Sequence, residues 1–228
     1  MCIRDSVDSV VRRSFIATGG TVLATKLALN YGIACNTAGG SHHATSNEGA
    51  GFCVFNDVAV AAKYLTTRGL ANRILIIDLD VHQGNGNSEI FKSDNQVFTF
   101  SMHAKVNYPA KKSVSDLDIE LEENLEDREY IDILKNNLKY LNEEEFDFVF
   151  YIAGVDIHYN DRLGKLKISD NGIFERDELV IDNFFSNKIP ICGVLGGGYN
   201  EDFNKLVELH SNLHNTCAKF LWWKKTQI

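Results

Sequence analysis

The stretch Ile74–Asn87, ILIIDLDVHQGNGN, decides the fold. Its four apolar residues, Ile74 to Ile77, run straight into a polar and glycine-containing cluster, as expected of a short strand buried on both faces. Three further runs share this character: Val97 to Phe100, Phe148 to Ile152 and Ile189 to Leu195. Around and between them, helical periodicity predicts helices over Gly20 to Tyr31, Asp57 to Arg68, Asp127 to Leu141, Gly172 to Phe185 and Glu201 to Leu221. This alternation predicts an α/β chain, a three-layer αβα sandwich with a mostly parallel sheet. Each apolar run ends in chemistry: Ile74 to Ile77 in DLDVHQGNGN, Phe148 to Ile152 in AGVDIHYNDRLG, Ile191 to Leu195 in GGGYN. Ligands of open parallel sheets bind beyond the carboxyl ends of the strands, so three strand ends converge on one expected site.

Composition agrees with a protein built around a core. The 228 residues are 44% hydrophobic and 24% charged with 2 prolines, within the size of one domain, and no repeat or linker divides them. No apolar stretch approaches the roughly 18 residues of a membrane span. The opening MCIRDSVDSV also lacks the apolar core of a signal peptide, so a cytoplasmic protein without a membrane partner is expected. Five cysteines (Cys2, Cys35, Cys53, Cys192, Cys217), odd in number and without a CxxC pair, argue for reduced thiols and against a disulfide framework or a cysteine zinc site. The 31 Asp+Glu outweigh the 23 Lys+Arg, with much of the excess in Asp116 to Glu129 and Asn142 to Asp147. These runs are expected to be solvated helix faces and loops. The balance argues against direct nucleic-acid binding and is compatible with a cationic substrate.

The period-two spacing of Asp78, Asp80 and His82 sets three polar side chains on one side of an extended segment, neighbours about 6.6 Å apart. Carboxylates and imidazole suit zinc, and Asp161 is available as a third ligand. By itself the spacing is also met by two aspartates capping a helix beside a surface histidine. His42 and His43 stand in GGSHHATSNEGAGFCVFND, where adjacent imidazoles point in different directions and need separate partners. One could exchange a proton with water while the other pairs with a buried carboxylate; a polar surface loop is the plainer alternative. Phe52 and Phe55 beside them suit core packing. Gly196–Gly198 could seat Tyr199 closely enough to donate a proton to an oxyanion, or form a turn with a packing tyrosine; without GxxxxGK[ST] it is no phosphate loop.

As a set, GGSHHA, GFCVFNDVAVAA, DLDVHQGNGN, AGVDIHYNDRLG and GGGYN stand in the order found in histone deacetylases, and the chain resembles that superfamily from about Thr18 to His214. HQGNG, FTFSMH, NYP and SDLDIEL resemble in particular the class IV deacetylases and their bacterial relatives. The resemblance implies an arginase/deacetylase fold and a zinc-dependent hydrolase that removes an acetyl or longer acyl group from lysine side chains. It implies Asp80, His82 and Asp161 as the ligands of one catalytic zinc, Asp78 orienting His42, and Asp156 outside the ligand set. His43 becomes the general base and then acid, partnered by Asn85 where many class I relatives have aspartate, and Tyr199 the oxyanion donor. Gly51, Phe52, Tyr108 and Gly197 match the substrate channel, while Asp78, Asp80, His82, Ser101 and Met102 match a site for a monovalent cation, commonly potassium. Because relatives carry further strand and helix sequence before the first motif, a single deacetylase domain missing its N-terminal part is expected. The substrate is an acyl-lysine protein or, alternatively, an acetylpolyamine or other small acylated amine. An inactive acyl-lysine binding module is a further alternative; a two-manganese arginase-type site is disfavoured by Asn85.

Overall fold

In the computed structural model, which describes residues 3–225, the strand Ile74–Asp78 (β2) sorts the core into two layers. Ile74 and Ile76 pack with Ala24, Ala28, Val58 and Leu65 on one side of the sheet. Leu75 and Ile77 pack with Leu134, Val180, Ile181 and Leu213 on the other. The strand Phe148–Ile152 (β5) divides the same way, Phe148, Phe150 and Ile152 against Val149 and Tyr151. A strand with both faces covered has no polar alternation, which is why β2 and β5 read as continuous apolar runs.

With Ile33–Cys35 (β1), Val97–Ala104 (β3), Leu117–Leu121 (β4) and Ile191–Val194 (β6), these strands form a six-stranded sheet in the order β1-β6-β5-β2-β3-β4, parallel at every pairing. The helices Ile3–Tyr31 (α1), Asp57–Thr67 (α2) and Asn85–Phe91 (α3) cover one face. Asp127–Leu141 (α4), Asp170–Ser186 (α5) and Phe203–Lys225 (α6) cover the other. The three-layer α/β arrangement is therefore as expected. No helix of the described residues is long and apolar enough to cross a membrane.

Three elements were not expected. β1 is only three residues long, and α3 begins inside the polar cluster after β2, at Asn85. The acidic run beginning at Asp116 starts with strand β4, not with helix or loop: Leu117, Ile119 and Leu121 alternate with Asp118 and Glu120, packing inward while the acids flank them. Charged residues on an edge strand discourage pairing with a second chain. Two hydrogen-bonded links aim the loops at the site. Asn56 caps α2 by accepting from Ala59 N–H at 2.9 Å while its amide donates to the Ala44 carbonyl at 3.1 Å, and the Gly86 N–H donates to the His42 carbonyl at 2.9 Å. The histidine loop is thus fixed from both α2 and α3.

Candidate metal centre and active site

At the carboxyl end of β2, Asp78 pairs in register with Ile152 of β5, so the segments that follow these central strands lie side by side. This brings Asp80, His82 and Asp156 together, with one ligand-type atom of each within 4.8 Å of the others. All three are buried. His82 Nδ1 is 3.0 Å from an oxygen of each carboxylate. Backbone N–H groups anchor the acids: His82 and Gly197 donate to Asp80 at 2.9 and 2.6 Å, and Val81 donates to Asp156 at 2.9 Å. Burial works against the charge of His82, but Asp156 and Asp80 outweigh it and raise its pKa to about 10. Burial and the Asp80 charge raise Asp156. Two carboxylates held this close favour positive charge between them, supplied either by a proton on His82 or by a bound dication that takes its place with His82 neutral. Two carboxylates and one nitrogen are a donor set that suits zinc and leaves the open position of a catalytic site.

Asp161, the expected third ligand, is elsewhere. Its carboxylate is occupied by backbone donors, Leu163 and Gly164 at 2.9 Å on one oxygen and Tyr199 at 2.7 Å on the other. The first acid of VDIHYND, and not the second, completes the group. Gly197 also differs from its expected place in the channel wall: its N–H holds Asp80, and a Cβ there would stand 2.2 Å from Asp156 Oδ2. It packs under the carboxylates.

The two histidines have the separate partners that their adjacency demands. His42 Nδ1 lies 2.7 Å from Asp78 Oδ2. Burial opposes its charge, yet Asp78 and Asp80 raise its pKa to about 9, so it is an imidazolium. His43 Nδ1 lies 2.7 Å from Asn85 Oδ1. Burial and the His42 charge push His43 down to about 3, so it is neutral; with Nδ1–H donated to Asn85, its Nε2 is a free acceptor. Asp78 Oδ1 accepts from the Asp80 N–H at 3.2 Å, and Asp78 stands beside Ser101 in the sheet register, with Met102 next on β3.

A cavity of about 420 Å³ opens over this floor, lined by His43, Gly51, Phe52, His82, Val106, Asn107, Tyr108, Leu163 and Tyr199. The Tyr199 ring stands edge-on to His82 at 6.1 Å and 6.0 Å from Phe52; Tyr108 stands edge-on to His43 at 4.8 Å. Burial and the Asp80 and Asp156 charges raise the Tyr199 phenol, keeping its proton in place as a donor. Gly51 and Phe52 form the centre of a two-residue turn closed by Ala50 and Cys53, both with positive φ, at 51° and 65°. Such a turn favours glycine, and a phenylalanine held there costs on the order of 1–3 kcal/mol. Phe52 is 87% exposed.

A profile of the histone deacetylase domain matches residues 6–213. The chain belongs to the histone deacetylase family. It is 50% identical over 209 residues to an uncharacterized protein of Picosynechococcus sp., covering 91% of this chain and 70% of that one. It is 37% identical to histone deacetylase 2 of Arabidopsis thaliana, covering 83% of this chain and 50% of the relative. A solved histone deacetylase homolog from Aquifex aeolicus superposes with a TM-score of 0.75 at 28% identity, covering 92% of this chain and 62% of that one. This family member thus spans half the length of the Arabidopsis relative.

The fold also recruits residues not singled out from the sequence. Arg176 of α5 is fully buried and donates to the Gly154 carbonyl at 2.5 Å and the Leu79 carbonyl at 3.5 Å, pinning the segments that carry Asp156 and Asp80. Asp177 neutralises it at 2.9 Å. Asn107, within the NYP motif, donates to the Leu163 carbonyl at 2.8 Å and so closes the cavity wall beside His82. Asp156 had a signal, since it is the first acid after β5 just as Asp80 closely follows β2.

Proposed function

We propose that this deacetylase-family chain is a zinc-dependent amide hydrolase that removes an acyl group from an amine nitrogen, foremost that of an acyl-lysine side chain. The observation that carries this is the meeting of Asp80, His82 and Asp156 beneath a cavity lined by His82, neutral His43 and protonated Tyr199. Asp80, His82 and Asp156 would hold the zinc. When bound, zinc supplies Lewis acidity toward the acyl carbonyl and lowers the pKa of water to about 7. His43 Nε2 takes the proton of the attacking water and then delivers it to the leaving amine. The Tyr199 hydroxyl donates to the developing oxyanion. Charged His42, fixed by Asp78, keeps His43 neutral and adds positive charge behind the reacting carbonyl. Gly51, Phe52 and Tyr108 flank the acyl-lysine stem, and a potassium ion beside Asp78, Asp80, His82, Ser101 and Met102 would offset the buried acids.

The test is turnover of fluorogenic acetyl-lysine, long-chain acyl-lysine and acetylpolyamine substrates by the purified chain after chelation, with and without added zinc. Zinc-restored release of free amine is expected, with acyl-lysine peptides the better substrates. Stoichiometric zinc binding without turnover of any substrate would make the chain a binding module, and preference for the acetylpolyamine would move the substrate to small amines.

A further inference from the structure

Away from the cavity, β1 ends at Cys35 and α6 carries Cys217, and their Sγ atoms lie 2.8 Å apart although 182 positions separate them. That is only about 0.8 Å longer than a disulfide bond. His214, three residues before Cys217 on α6, is electrostatically linked to the same Cys35 sulfur. The two thiols are electrostatically unequal. The hydrogen bond with Cys217 and the neighbouring His214 draw Cys35 below the ordinary thiol range, against burial and the Asp177 carboxylate. The Cys35 contact and burial push Cys217 up. Arg176 pairs with Asp177 and limits its opposition. Cys35 is half-buried on the outer strand of the sheet, whereas Cys217 is only 6% exposed. The other described thiols lack this arrangement: burial raises Cys53 to about 11, and Cys192 is fully buried.

We propose that Cys35 and Cys217 form a redox-active dithiol, a modification site for hydroperoxides in which Cys35 attacks and Cys217 resolves. The Cys35 thiolate attacks a peroxide oxygen; the O–O bond breaks, and the leaving alkoxide or hydroxide takes a proton from His214. Cys35 is then a sulfenic acid. The Cys217 sulfur attacks the Cys35 sulfur, the S–O bond breaks, and hydroxide leaves as water with the Cys217 proton. Two thiols and one hydroperoxide thus give one disulfide, one alcohol or water from the peroxide, and a second water; the sulfurs lose two electrons and the peroxide gains them. The bond staples the root of the segment leading from β1 to His42 and His43 onto α6, the helix that follows Tyr199.

The test uses the full chain. After hydrogen peroxide and blocking of remaining thiols with N-ethylmaleimide, non-reducing peptide mass spectrometry is expected to show Cys35 linked to Cys217, with two thiols lost and recovered by dithiothreitol. In Cys217→Ser, dimedone is expected to trap a sulfenic acid at Cys35; in Cys35→Ser, Cys217 stays a thiol. On the unmodified chain at neutral pH, Cys35 should be alkylated at least tenfold faster than Cys53. Peroxide leaving Cys35 and Cys217 as thiols, a linkage through Cys2, Cys53 or Cys192 instead, or alkylation of Cys35 no faster than that of Cys53 would overturn the proposal. The wild-type measurements decide it even where a variant misfolds.

Discussion

The floor and the rim of the cavity are built by opposite means. Beneath the cavity floor, Asp78, Asp80, Asp156 and His42 lie behind His82, each 7% exposed or less, and every carboxylate accepts a backbone N–H from a segment at a strand end. On the rim, Phe52, Tyr108 and Leu163 are 87%, 45% and 40% exposed and sit on turns and loops. Floor residues have one position each because the sheet and its hydrogen bonds over-determine them, whereas rim residues are set locally and can change without disturbing the core. The chemistry should therefore fail abruptly when the floor is altered, and substrate preference should drift when the rim is.

The sharpest way to break this comparison lies in two aspartates five positions apart. Asp156→Ala is expected to lose stoichiometric zinc and measurable turnover. Asp161→Ala should keep its zinc and lose on the order of 10²-fold in turnover, because the Tyr199 backbone is released and a shift of about 1 Å is that costly. Metal analysis of both variants checks this; zinc lost from Asp161→Ala and kept by Asp156→Ala would reverse the assignment. Next, Arg176→Met leaves Asp177 charged and buried without its partner, and a loss of roughly 3–5 kcal/mol is expected in denaturant unfolding. An unchanged midpoint would show that the floor does not depend on this cation.

Tyr199→Phe is expected to keep the fold and the zinc and to lose roughly 10²–10³ in kcat, since one donor to the oxyanion is removed. If kcat stays within a few-fold, the phenol belongs to the rim and not to the chemistry. The smallest effect is expected at Phe52→Ala: stability within about 0.5 kcal/mol of the parent, as for an exposed side chain, with KM raised and kcat kept, the mark of lost uniform binding. A fall in kcat equal to the fall in kcat/KM would place Phe52 among the residues acting only in the transition state.

Asp127–Leu141 was legible to the residue because its apolar positions follow one helical period over fifteen residues. β4 was not, since five residues carrying two acids resemble any solvated segment until a neighbouring strand gives their alternation a face to pack against. The same contrast runs through the site. Asp78 closes β2, whereas Asp80 and His82 lie in the bend that follows, where backbone N–H groups and not strand alternation aim them.

The sequence by itself determined the parallel α/β sheet and the strand ends that carry the candidate site, and it brought forward two of the three residues that meet in the buried acid–imidazole cluster, the histidine pair and Tyr199 as candidates. The sheet and its strand ends are local patterns, readable from period and order, whereas the roles of the histidine pair, Tyr199, Asp80 and His82 were implied by the resemblance to histone deacetylases. Only the tertiary structure decided that Asp156 faces His82 while Asp161 braces Tyr199, that Arg176 lies beneath both acidic segments, and that Cys35 meets Cys217. The direction of a side chain in an irregular loop, and the meeting of groups far apart in the chain, follow from how whole elements pack, and no spacing along the chain encodes them.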